Sequence, residues 1–214
     1  MALRNVLTVR IVTAEEMKQL DRQTIEDHGI PSLVLMERAA LASVDVLHEQ
    51  GFDLTEVVVI CGPGNNGGDG LCVARLLHLA GFGVTVGLIG DALARSTETR
   101  QELEIATSYG VPILDLADCP SQPTTVIDAL LGIGGQRAPA GQFLDAVRYI
   151  NGATAARVLA VDIPSGVSAN TGETPGEAVQ ADTTVTFAYT KVGLTRDPGK
   201  TLAGQVIVKD IGIY

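Results

Sequence analysis

Three glycine-rich runs carry side chains able to move protons or hold cations. They are GPGNNGGDG at 62–70, VIDALLGIGGQRAPAG at 126–141 and VLAVDIPSGVSANTG at 158–172. In the first, Gly62, Gly64 and Gly67 spell G-x-G-x-x-G, a pattern whose free backbone N–H groups suit a phosphate when a strand precedes it and a helix follows. Asp69 adds negative charge where a pyrophosphate would approach. The acidic residue expected about 20 positions further on for ribose binding is also missing, since Asp91 comes too late. The run therefore reads as a phosphate- or amide-binding turn with Asn66 and Asp69 free for other work, or as a tight strand-to-helix turn. In the second run, Asp128 sits among apolar residues. An unpaired buried carboxylate costs several kcal/mol, so Asp128 either meets a cation or caps a neighbouring loop. Gly132, Gly134 and Gly135 allow close backbone approach, and Arg137 is either a phosphate fork or a solvated surface side chain. In the third, Asp162 ends an apolar run before the turn formers Pro164, Ser165 and Gly166, where a carboxylate suits general acid–base work or stabilises its own turn.

Asn66, Asp128 and Ser165 together offer hard oxygen ligands with one formal charge. That chemistry suits a monovalent ion as well as Mg²⁺, and without His or Cys it does not suit zinc. His28, His48 and His78 lie outside the three runs, and neither a G-x-S-x-G elbow nor a P-loop sequence occurs. Cys61, Cys72 and Cys119 are too few and scattered for a disulfide framework and read as small buried residues of a reducing compartment.

The intervening elements must bring these runs together. A T-x-x-E box at Thr13 and Glu16 starts a helix carrying Met17, Leu20 and Ile25, which Gly29 and Pro31 stop. A second helix is expected over 32–50. The β-branched run 57–61 reads as a strand buried on both faces, followed by a loop over 62–70 and a helix over 71–80. Further strands are expected at 84–89, 111–114, 126–131 and 157–163, and helices at 96–109 and 143–150. The segments 182–188 and 205–210 read as strands with no helix between them. Such alternation predicts an α/β, three-layer Rossmann-like fold with a mostly parallel sheet, built as one domain, with ligands at the carboxyl ends of its strands.

The chain has 214 residues, a net charge of −10, 46% hydrophobic and 19% charged residues, so it can bury a full core. The acidic balance and the 4% of aromatics argue against nucleic acid and anionic membranes as partners. No apolar run reaches the length of a bilayer span, and the apolar stretch between Arg4 and Arg10 is too short for a signal peptide. A cytoplasmic protein is the expectation.

In this order, GIPSLVLMERAA, CGPGNNGGDG, VIDALLGIGGQR, VDIPSG and TVTFAYTKVG resemble the YjeF N-terminal domain family, and within it the NAD(P)H-hydrate epimerases, over residues 12–213. The resemblance implies an isomerase of nicotinamide nucleotide repair, which interconverts the R and S forms of hydrated NADH and NADPH for an S-specific dehydratase. It implies a bound potassium ion on Asn66, Asp128 and Ser165. It places substrate contacts on Asn65, Asn66, Gly67, Gly68 and Asp69, on Gly132, Ile133, Gly134, Gly135, Gln136, Arg137 and Ala138, and on Asp162. Asp162 and Lys191 are the candidate proton-transfer residues, and a homodimer is implied. Val192 stands where relatives commonly have proline, and Gly135 and Gln136 also depart from the common pattern. With no dehydratase segment after Tyr214, the chain is expected to epimerise but not to dehydrate. Two readings compete: a non-catalytic nucleotide-binding or scaffold module of the same fold, and a dinucleotide oxidoreductase. Retention of Asn66, Asp69, Asp128 and Asp162 opposes the first, and the missing ribose-binding acid opposes the second.

Overall fold

A computed structural model describes residues 10–135 and 137–214. Gln136, and the leader reading made on residues 1–9, lie outside the described residues. Seven parallel strands form the central sheet in the order β4-β3-β2-β5-β6-β7-β9. They are β2 (Val57–Cys61), β3 (Val84–Leu88), β4 (Ile113–Leu114), β5 (Thr125–Ala129), β6 (Arg157–Val161), β7 (Thr183–Phe187) and β9 (Gln205–Lys209). Two-residue strands β1 (Ile11–Val12) and β8 (Thr190–Lys191) pair beside it, Val12 opposite Lys191.

Alternating side chains of the central strands feed two cores. Val57, Val59 and Cys61 face the core beneath α2 (Ser32–Glu49) and α3 (Asn65–Leu79), whereas Val58 and Ile60 pack with α5 (Gln142–Gly152) on the other face. α4 (Thr97–Ser108) packs against α3. β2, β5 and β7 are buried at every position; β2 and β7 have the continuous apolar and β-branched sequences expected of strands covered on both faces, and β5 departs from that pattern at Asp128. The three cysteines are buried free thiols, as expected.

The first helix, α1 (Ala14–Arg22), starts at the predicted capping box. Thr13 Oγ1 accepts from the Glu16 N–H, and the Glu16 carboxylate accepts from the Thr13 N–H. It runs on through a π-helical turn, Gln23–Asp27, before Gly29 takes a left-handed φ of 73°.

Two expectations are corrected. NNGGDG is not loop: α3 begins at Asn65, so Asn66 and Asp69 stand on its first two turns. Three glycines there lower helix propensity, and packing overrides it. A Cβ at Gly67 would lie 1.9 Å from the Gly62 carbonyl oxygen, and one at Gly70 would lie 2.4 Å from Ala129 Cβ. The glycines let the helix sit directly on the loop and strands below. A short helix, α6 (Gly199–Leu202), also separates the last two long strands, which are parallel neighbours and need a crossover.

Candidate active site

β2 and β5 are adjacent, but the chain leaves β2 towards β3 and β4 on one side, then returns to build β5, β6, β7 and β9 on the other. The carboxyl ends of β2 and β5 therefore flank the point where strand order reverses, the usual ligand crevice of an open α/β sheet. A cavity of ≈ 480 Å³ opens there. Asn65, Asn66 and Asp69 of α3, Gly132, Ile133, Gly134 and Gly135 after β5, Asp162 after β6, and Lys191 of β8 all line it. Ile25, Leu35, Phe143, Phe187, Ile211 and Ile213 give it apolar walls. A larger groove of ≈ 810 Å³ beside α5 is lined by none of the candidate residues.

Asp162 has a left-handed φ of 67°, which Asp tolerates better than most residues but which still carries strain. Its N–H bonds the Val185 carbonyl at 2.7 Å, tying it to β7. Its Oδ1 forms an ion pair with Lys191 and accepts from Thr186 Oγ1 at 3.1 Å and from the Phe187 N–H at 3.4 Å. Oδ2 has no bond among the described residues. Lys191 is 1% exposed. Its ammonium donates to Asp162 Oδ1, to Thr186 Oγ1 at 3.0 Å and to the Phe187 carbonyl at 3.0 Å, which uses all three of its protons.

Asp128 lies beneath the cavity, fully buried, and caps the loops. Its Oδ1 accepts from Ser165 Oγ at 2.6 Å and the Leu130 N–H at 3.2 Å, and its Oδ2 from the Ser165 N–H at 2.8 Å. Ser165 Oγ in turn accepts from the Leu131 N–H at 2.8 Å. One carboxylate thus joins the loop after β5 to the loop after β6. Burial pushes its pKa up to about 6 against these donors.

Asn66 is the polar group left over. It is 8% exposed, and neither its Oδ1 nor its Nδ2 has a partner among the described residues. A Cβ at Gly132 would come within 3.2 Å of Asn66 Cβ, so the glycine lets the loop after β5 close against this amide.

Asp69 carries no hydrogen bond among the described residues. Burial, then the charges of Asp162, Asp21 and Glu102, push its carboxyl well above the usual range, with Lys191 opposing. Gly67 and Gly68 pack against Gly62 and Met36 rather than lining the cavity. Arg137 and Ala138 are exposed, and neither lines the cavity.

α1 is what sequence reading missed. Met17, Lys18 and Asp21 line the same cavity. Burial, then the charges of Asp162 and Glu98, raise the Asp21 carboxyl above its ordinary value. The signal is faint but present: Asp21 stands four residues after Met17, one turn along the same buried face.

Residues 32–193 match the family described as YjeF-related protein N-terminus. A Limosilactobacillus reuteri protein named NAD(P)H-hydrate epimerase is 51% identical over 97% of this chain and 99% of its own length. Proteins of the same name from Levilactobacillus brevis and Oenococcus oeni are 44% and 43% identical, over 96% and 97% of this chain and 95% and 99% of their own. The crystal structure of yeast ynu0 superposes with a TM-score of 0.78 at 22% identity, covering 94% of this chain and 88% of that one, and so shares the fold. With three quarters of its length matched and near-complete relatives at such identity, the chain belongs to the family of YjeF-related protein N-termini.

Proposed function

We propose that this protein is an isomerase that interconverts the R and S hydrates of NADH and NADPH. The observation that carries the reading is the Asp162–Lys191 pair: a carboxylate and an ammonium, one strained and one buried, opening on the cavity at the strand-order switch. The names of relatives that match this chain almost end to end support the substrate class.

The hydrate bears a hydroxyl on a ring carbon bonded to nitrogen. Protonation of that hydroxyl lets the C–O bond break with its electron pair, leaving as water, while the nitrogen lone pair closes a C=N bond. Water then adds to the cationic carbon and gives up a proton. Asp162, paired with Lys191 and lining the cavity, exchanges protons with oxygen at that carbon. Lys191 holds Asp162 in place and feeds the pair its proton. The acidic side chains of Asp21 and Asp162 at one cavity favour the cationic intermediate.

Potassium belongs to the proposal. Asn66 Oδ1 is a buried acceptor with no partner, and Asp128 and Ser165 gather oxygens where the loop of Gly132 meets Asn66. Such a set, with one charge, fits a monovalent ion held by Asn66, Asp128 and Ser165. Among the described residues no three His, Cys, Asp or Glu side chains form a metal-binding group. A bound cation supplies fixed positive charge that keeps Asp128 ionised and orders the loops.

Substrate contact by Asn65 to Asp69 and by Gly132 to Ala138, the departure of the S hydrate to a dehydratase and a homodimer rest on the family resemblance, and a cytoplasmic site rests on the sequence reading of the cysteines and the short apolar runs. Among the described residues no helix is long and apolar enough to cross a membrane. Incubation with the purified R hydrate of NADH, followed by chromatography, tests the central activity. Appearance of the S hydrate without change in the nicotinamide redox state is expected. An unchanged R hydrate, or oxidised or reduced coenzyme, would contradict it.

A further inference from the structure

Inversion at a carbon sets a requirement that one carboxylate does not meet. The hydroxyl leaves from one face of the ring. Water returning to that face regenerates the starting epimer, so the other epimer needs a proton acceptor on the opposite face. Asp162 is not free to serve both. Three donors grip its Oδ1 and its backbone is bonded to β7.

Five titratable side chains line the cavity: Lys18, Asp21, Asp69, Asp162 and Lys191. Lys191 belongs to the Asp162 pair, bonded to Asp162, Thr186 and the Phe187 carbonyl, and so acts on the same face. Lys18 is exposed at the mouth. Asp69 stands on α3, packed on the sheet and on the same wall of the cavity as Asn66, and burial and neighbouring carboxylates oppose its charged form. Asp21 remains. It is half-buried, has no hydrogen bond among the described residues, and reaches the cavity from α1 rather than from the sheet. Its position is built. The Asn170 side-chain oxygen accepts from the Ala14 N–H at 2.7 Å, and its amide donates to Glu15 at 2.8 Å. Val12, just before α1, pairs with Lys191. The segments that carry Asp162 and Lys191 thus also hold the start of α1, although α1 lies outside the family-matched residues 32–193.

Resting on the epimerase reading, we propose that Asp21 is the second proton-transfer residue, acting on the ring face opposite Asp162. In one direction the Asp162–Lys191 pair protonates the hydroxyl. The C–O bond breaks, water departs on that face and the pair is left one proton poorer. A second water adds to the carbon from the other face and its proton passes to the Asp21 carboxylate. The product has the same formula and inverted configuration. In the other direction Asp21 donates and the pair accepts, and solvent resets the protons between turnovers.

The test is epimerisation in H₂¹⁸O by the wild type, Asp21→Asn and Asp21→Ser, reading inversion and label uptake by chromatography and mass spectrometry. The wild type should gain one ¹⁸O per inversion. Both variants should invert roughly 10²-fold or more slowly at an unchanged KM, while still exchanging label into one epimer without inverting it. That split separates a proton-transfer group from a prop, whose loss would lower both rates together. Wild-type inversion in the variants, or parallel loss of inversion and exchange in both, would overturn the role of Asp21. A wild type inert towards both hydrates would instead overturn the functional reading.

Discussion

Asp162 concentrates the chemistry of the site in one side chain. It is strained at the backbone, clamped at one oxygen and open to the cavity at the other. Asp162→Asn keeps the shape and the accepting oxygen but leaves the buried Lys191 ammonium without its counter-charge, so the fold should persist with stability lower by about 3 kcal/mol. Epimerisation should fall by roughly 10²- to 10⁴-fold, as expected when a proton-transfer group is lost. Calorimetry and the epimer-exchange assay check the two halves; unchanged activity would move the acid–base role elsewhere. Asp162 was legible because an acid that ends a buried strand and precedes Pro-Ser-Gly has few structural uses. Asp128 was legible as an anomaly in an apolar strand, and its capping of the Ser165 loop is visible only in three dimensions. Asp21 was not legible as a site residue, since an Asp on an amphipathic helix looks like any solvated charge until the helix is docked.

At the scale of elements, the site depends on how tightly α3 sits on the loop after β2. Gly67 is the contact point, and any side chain there meets the Gly62 carbonyl. Gly67→Ala should cost about 3 kcal/mol by overpacking, or a melting temperature lower by roughly 10 °C in a domain of this size, with loss of activity because Asn66 and Asp69 ride on the same turns. A variant as stable and as active as wild type would show that the close approach is dispensable. The long strands announced themselves through continuous β-branched runs. The bounds of β2 match, whereas the ends of β3, β5 and β6 were drawn one or two residues too long, because apolar residues such as Ile89, Leu130, Leu131 and Ile163 continue into the loops. The start of α3 was misplaced for a physical reason: glycines that read as flexibility serve here as space. β1 and β8, two residues each, have no pattern to read and exist only through their pairing.

For the molecule as a whole, the site opposes stability. Burial and like charge raise the Asp69 carboxyl above the 3.8 of the unfolded chain. Below that value both states hold the proton and the group is neutral in effect. As pH rises past it the unfolded chain ionises first, so folding stability declines until pH exceeds the raised native value. Asp69→Asn removes this decline. Its melting temperature should gain on wild type as pH rises from 4 to 8, whereas a constant gap would refute the assignment. The seven-stranded parallel order was implied by alternating strands and helices, and the crevice followed from it. What remained unreadable was the closing wall, to which α1 and the segment after β9 contribute: the sequence separations are long, and only tertiary packing brings Met17, Asp21, Ile211 and Ile213 to Asp162.

The account stands on one convergence: Asn66, Asp128, Ser165 and Asp162 must serve a single bound coenzyme and its cation. A crystal structure with the hydrate of NADPH and thallium in place of potassium tests that most directly. The reduced ring should lie against Asp162, with an anomalous peak among Asn66, Asp128 and Ser165. A ring bound elsewhere, or a thallium peak only at other sites, would contradict it.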